Sequence, residues 1–137
     1  MPQVDLIDDH FCFACGADNK DGLDLAWTVE GKTCSAVFTP KRKFQGWKGI
    51  VHGGILATLL DEAMTRLAWI SCGGALTAEM TVRFLRPARL EDRIFIKGDI
   101  VSENRKLVTM RAELRKESRE GVLIARSAGK AVKLTGK

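Results

Sequence analysis

Val51-His52-Gly53-Gly54-Ile55-Leu56-Ala57-Thr58-Leu59-Leu60-Asp61-Glu62-Ala63-Met64-Thr65-Arg66-Leu67-Ala68-Trp69-Ile70 is the stretch in which apolar residues recur at helical spacing. At about 100° per residue, Leu56, Leu60, Ala63, Met64 and Leu67 share one side. Glu62 and Arg66 fall roughly opposite, together with Ile55 and Trp69, so much of the circumference is apolar. Such a helix is wrapped by a sheet or covered by a partner. Glu62 is expected at the surface or paired with a base. Asp61 falls at the edge of the apolar stripe, beside Ala57 and Ala68. Two readings follow for it: a half-desolvated carboxylate with room for a ligand, or an aspartate that faces solvent or pairs with Arg66.

The amino end of the helix carries Gly53 and Gly54 where Ser, Thr, Asp or Asn is the usual cap. Uncapped N–H groups at the positive end of a helix suit an anion or a developing oxyanion. The alternative is a tight loop-to-helix turn, with His52 a hydrogen-bonded core residue. Gly73-Gly74 supplies the stop, since glycine takes the left-handed cap without strain.

Outward from the helix the period becomes two. Met80, Val82 and Phe84 alternate with polar neighbours across residues 77–84, which predicts one buried face. Strands are also expected over 93–101, 106–116 and 122–134, joined by short turns, and over 23–29 and 33–39 ahead of the helix. The order β-β-α-β-β-β-β, with four consecutive strands after the helix, predicts an α+β fold. One long central helix packs on an antiparallel sheet of about six strands. Residues 1–22 read as an irregular arm ahead of a single domain over 23–137.

The 137 residues, 45% apolar, suffice for one domain with a real core. No run approaches the uncharged length that a membrane-spanning helix needs. The acidic start, Met1-Pro-Gln-Val-Asp5, is unlike a secretory signal, so a cytoplasmic location is expected. Net charge is +5, with six aspartates and only Lys20 in the first 24 residues. The remaining basic residues are scattered along strands as on an ordinary solvated face, and tyrosine is absent. Neither nucleic acid nor membrane is an expected partner. Cys12 and Cys15 make a C-x-x-C, half of a zinc site, while Cys34 and Cys72 stand alone and only His10 and His52 offer imidazole. Reduced thiols, no metal and no cofactor are expected.

The segment from Val51 to Glu62 resembles the H-G-G-x6-D helix of hotdog-fold thioesterases. It is most similar to the phenylacetate-pathway branch of the 4-hydroxybenzoyl-CoA thioesterase superfamily. Cys12-Phe-Ala-Cys-Gly-Ala-Asp-Asn19 with Gly22-Leu23, and Thr77-Ala-Glu-Met-Thr-Val-Arg-Phe-Leu-Arg-Pro87-Ala, resemble the same branch. The resemblance implies hydrolysis of an acyl-CoA thioester without metal or redox cofactor. It implies that Asp61 is the nucleophile or general base and that the Gly53 N–H polarises the carbonyl. His52 and Gly54 would support that helix start, and Thr77 would orient the attacking water. Some relatives carry an amide residue six positions before the histidine; Gly46 stands there in this chain, with Gln45 one position off, so either Gln45 substitutes as the contact to water or carbonyl or that contact is absent.

Eight residues separate Gly53 from Asp61, about 12 Å along one helix. A base and an oxyanion donor must both lie about 3 Å from one reacting atom. The expected enzyme is therefore a homodimer or homotetramer that pairs Gly53 of one chain with Asp61 of another. Competing expectations are a non-catalytic acyl-CoA binder or assembly subunit, and a hotdog hydratase or dehydratase. Acyl specificity would depend on how Phe44, Trp47, Met64, Trp69 and Met80 line a tunnel.

Overall fold

The computed structural model describes residues 5–134; the outermost ends of the expected arm and domain lie outside the described residues. The elements are β1 (Thr28–Glu30), β2 (Thr33–Phe38), a 3-10 turn (Arg42–Phe44), α1 (Gly53–Cys72), β3 (Ala75–Phe84), β4 (Ile94–Glu103), β5 (Leu107–Lys116) and β6 (Leu123–Lys133). The six strands form one antiparallel sheet in the order β1-β2-β4-β5-β6-β3. Both the element order and the single sheet agree with expectation. No helix among the described residues is long and apolar enough to cross a membrane.

The helix buries Leu56, Leu59, Leu60, Ala63, Met64, Leu67 and Ala68 against the sheet. It meets the sheet at the paired residues Cys34 and Gly98 on β2 and β4. Cys34 Sγ donates to the Ala63 carbonyl at 3.1 Å. A Cβ on Gly98 would stand 2.7 Å from that same oxygen, so only glycine lets helix and sheet meet there. Gly73 closes the helix in the left-handed region at φ 74, its N–H donating to the Trp69 carbonyl at 2.8 Å.

Three local expectations need correction. The strand expected over residues 23–29 is only Thr28–Glu30. Asp24 has φ 52, which breaks the extended chain, and Leu23 and Leu25 donate instead to the carbonyls of Phe13 and Ala14. The arm is thereby stitched to the body, and Ala14, Leu23 and Leu25 join the core. Phe84, expected on the buried face of β3, is 53% exposed at the end of a strand that borders the sheet. Finally, β3 contains a bulge: Thr77 pairs with Ala131 and Glu79 with Lys130, leaving Ala78 over. The extra residue shifts the parity, so Thr77 and Met80 both turn toward the helix although three positions separate them.

Candidate active site

Helix α1 and the first residues of β3 lie side by side, which brings Asp61 to Thr77. The Thr77 hydroxyl donates to Asp61 Oδ1 at 2.7 Å. A threonine that gives its proton to a carboxylate keeps lone pairs free to accept from a water or substrate N–H. Asp61 and Thr77 are half-buried and line a cavity of about 820 Å3, a size suited to a small-molecule acyl group. Its other walls are Glu62, Thr65, Arg66 and Trp69 of the helix, and Asp5 to Asp9, Phe11, Cys12 and Cys15 of the arm. Asp61 is thus half-buried with space beside it, and no ion pair with Arg66 forms among the described residues.

A second cleft of about 490 Å3 lies at the helix start, lined by Gln45, Gly46, Trp47, Val51, His52 and Gly53. The helix is not uncapped as expected: His52 Nδ1 accepts from the Gly54 N–H at 2.8 Å. A ring nitrogen two residues back reaches that amide and replaces the usual hydroxyl or carboxylate cap. The Gly54 amide is therefore occupied. The Gly53 N–H has no acceptor among the described residues and is exposed. Gln45 Oε1 accepts from Gly49 N–H at 2.9 Å, which fixes the amide and leaves its NH2 group as a spare donor beside Gly53. His52 is exposed, not in the core.

The sequence-predicted residues thus form two groups, Asp61 with Thr77 and Gly53 with His52, Gly54 and Gln45, set apart by two turns of the same helix. Of the candidate tunnel residues, Trp69 lines the cavity and Trp47 the cleft, while Phe44 and Met64 are core. Glu62 corrects expectation: it is half-buried, forms no ion pair among the described residues, and lies against the C-x-x-C. The Cys12 and Cys15 sulfurs and a Glu62 oxygen lie within 4.8 Å of one another. Burial, reinforced by the adjacent Glu62 carboxylate, pushes the Cys15 thiol well above its ordinary range. Cys34, deeper in the core, is pushed up to about 12 by burial and remains a thiol. The arm's contribution was invisible to helical periodicity, because the periodicity of one helix does not show what covers its far side.

A central helix half-enclosed by one antiparallel sheet, with a carboxylate at mid-helix and a free glycine amide at its start, defines the hotdog class. Residues 48–123, more than half of the chain, match the Thioesterase superfamily model, and the chain belongs to that family. It is similar to the acyl-coenzyme A thioesterase THEM4 of Xenopus laevis, 34% identical over 74 residues that cover 53% of this chain and 33% of that protein. The match therefore spans about a third of the relative's length. Among solved structures, PaaI from the phenylacetic acid degradation operon of E. coli superposes with TM-score 0.72 at 20% identity, covering 81% of this chain and 84% of that one. A hypothetical thioesterase of Streptococcus pneumoniae TIGR4, solved with coenzyme A, gives TM-score 0.71 at 22% identity, covering 80% and 87%. The structures of an aspartate-to-alanine and a threonine-to-alanine variant of the same protein superpose equally well, with TM-scores 0.72 and 0.70.

Proposed function

We propose that the protein hydrolyses an acyl-CoA thioester to the free acid and CoA, at a site completed by a second copy of the chain. The observation that carries this reading is the Asp61–Thr77 hydrogen bond in the lining of a cavity of about 820 Å3. Asp61 takes a proton from a water that Thr77 orients, and the water oxygen attacks the thioester carbonyl. The Gly53 N–H of the partner subunit, backed by the positive end of its helix, receives the developing oxyanion. Collapse of the tetrahedral species breaks the C–S bond and releases CoA as its thiolate, which takes up a proton. His52 acts by holding the first turn of the helix, and the Gln45 NH2 is a further donor to carbonyl or water.

The requirement for two copies follows from distance and from the edge of the sheet. Gly53 and Asp61 are about 12 Å apart on an unbroken helix. Strand β3 ends the sheet with ten residues and one unpaired side, a template for another strand. Thr77 stands near its start, beside Asp61, and Phe84 at its end, where the ring lies 3.9 Å from the Cβ position of Gly53. Antiparallel pairing of two β3 edges about a two-fold axis sets the Phe84 end of one copy against the Thr77 end of the other. Gly53 of each copy then approaches Asp61 of its partner. Further support comes from the hypothetical thioesterase protein of Streptococcus pneumoniae, solved with coenzyme A. Its alanine variants replace an aspartate and a threonine sixteen positions apart, the spacing of Asp61 and Thr77.

The test is thiol release from a panel of acyl-CoAs, read with a thiol-reactive dye. Wild type is expected to turn over at least one of them, and Asp61→Ala to lower kcat by about 10²–10⁴-fold. No release above that variant with any acyl chain overturns hydrolysis in favour of a binder. Sharing is tested with mixed dimers of Asp61→Ala and Gly53→Pro chains. The second change removes the amide hydrogen and adds a ring that the first turn of a helix accepts, because His52 at φ -59 and ψ 133 already has the backbone that precedes proline. About half of wild-type activity per mixed dimer is expected; none overturns the shared site.

A further inference from the structure

The C-x-x-C of the arm has no part in the proposed hydrolysis, yet its turn is tightly constrained. Gly16 N–H donates to the Cys12 carbonyl at 2.9 Å, and Ala14 N–H approaches Cys12 Sγ at 3.4 Å. A Cβ on Gly16 would stand 2.3 Å from the Cys12 nitrogen, so the chain can curl around that sulfur only with glycine there. The turn is pinned from outside, since Ala14 is buried and the carbonyls of Phe13 and Ala14 accept from Leu23 and Leu25. Against this turn the helix places Glu62, with both sulfurs and a carboxylate oxygen within 4.8 Å of one another.

We propose that Cys12, Cys15 and Glu62 form a binding site for a soft divalent cation, zinc above all. Tetrahedral zinc, with bonds of about 2.3 Å to sulfur and about 2.0–2.2 Å to oxygen, needs ligand atoms about 3.5–3.8 Å apart, a spacing that falls inside this cluster. Two sulfurs disfavour magnesium and calcium, which take oxygen ligands, and a third donor of carboxylate type suits zinc. The Ala14 amide supports negative charge on Cys12, and Arg66, one helical turn beyond Glu62, lines the same cavity. The fourth position opens to the cavity and is taken by water. Binding displaces one proton from each thiol into solvent, and no oxidant or reductant is involved. The ion staples the arm to the helix and so fixes the wall opposite Asp61. None of this depends on thioester hydrolysis.

The experiment is elemental analysis of the full chain expressed with zinc, followed by replacement with Co2+. One zinc per chain is expected, and the cobalt form should show sulfur-to-metal charge-transfer absorption with tetrahedral ligand-field bands. Cys12→Ser and Cys15→Ser should lose the metal, Glu62→Gln should lose it on dialysis against a chelator, and Cys72→Ser should keep it. A melting curve with and without added zinc guards against variants that fold poorly: the ion should raise Tm in wild type and not in Glu62→Gln. Absence of stoichiometric metal together with an unmoved Tm overturns the site. So does metal retained by Cys12→Ser, or a Cys12–Cys15 disulfide in protein purified under reducing conditions.

Discussion

Thr77 gives its only hydroxyl proton to Asp61, and that one bond sets what each side chain can do. The carboxylate is held in one rotamer while the hydroxyl oxygen keeps its acceptor face for a water hydrogen. Thr77→Ser should retain most activity, whereas Thr77→Val, which keeps shape and loses the proton, should cost about 10²-fold in kcat with a smaller change in KM. A single turnover in 18O-water distinguishes the two roles open to Asp61. Label in the Asp61 carboxyl, with unlabelled acid, marks it as nucleophile; label in the released acid excludes an anhydride opened at the Asp61 carbonyl and is the outcome expected of a general base. The position of Asp61 was legible because 100° per residue locates a side chain on a helix whatever packs around it. The partner of Asp61 was legible only through the resemblance. Alternation alone put Thr77 on the polar face with Glu79 and Thr81, and the bulge at Ala78 turns it inward. Glu62 was misread for a related reason, since its angle on the helix was right but its neighbours, Cys12 and Cys15, stand about fifty positions earlier in the chain.

At the scale of elements, the contact between α1 and the sheet rests on missing atoms. A methyl group at Gly98 would meet the Ala63 oxygen at 2.7 Å and its carbonyl carbon at 3.0 Å, backbone that cannot rotate away. Gly98→Ala is expected to lower stability by about 1–3 kcal/mol, read as a fall in urea midpoint at unchanged m-value. Gly129→Ala should cost less, because its tight contacts include the flexible end of Met64. The far end of the helix is tied differently. Glu103 takes Lys133 at 3.1 Å and the Ser71 hydroxyl at 3.2 Å, joining β4, β6 and α1. Its hydrogen bond to Lys133 holds the Glu103 carboxyl below its ordinary range. A carboxyl depressed in the folded state stabilises above its unfolded pKa and loses that contribution as pH falls through the folded one. Glu103→Gln should thus lower Tm at neutral pH by an amount worth at most about 1 kcal/mol, since the pair is partly exposed. The difference from wild type should vanish in acid. Strand existence and order were readable from alternation and turn residues; the short β1 was not, because nothing in Leu23-Asp24-Leu25 announces a left-handed aspartate.

For the whole molecule, the unpaired side of β3 and the exposed Phe84 and Leu85 at its end point to one assembly. Sedimentation should find a dimer or a multiple of one, and Thr81→Pro, mid-strand at the proposed two-fold, should yield monomers without activity. A second feature of the whole concerns the arm. Asp5, Asp8 and Asp9 stand along the rim of the cavity, joined there by Glu62, with Arg66 the basic residue among its lining. A rim of that sign acts as an electrostatic sieve. For the hydrolysis proposed above, an acyl tail ending in a second carboxylate should then be a poorer substrate than a neutral tail of equal length.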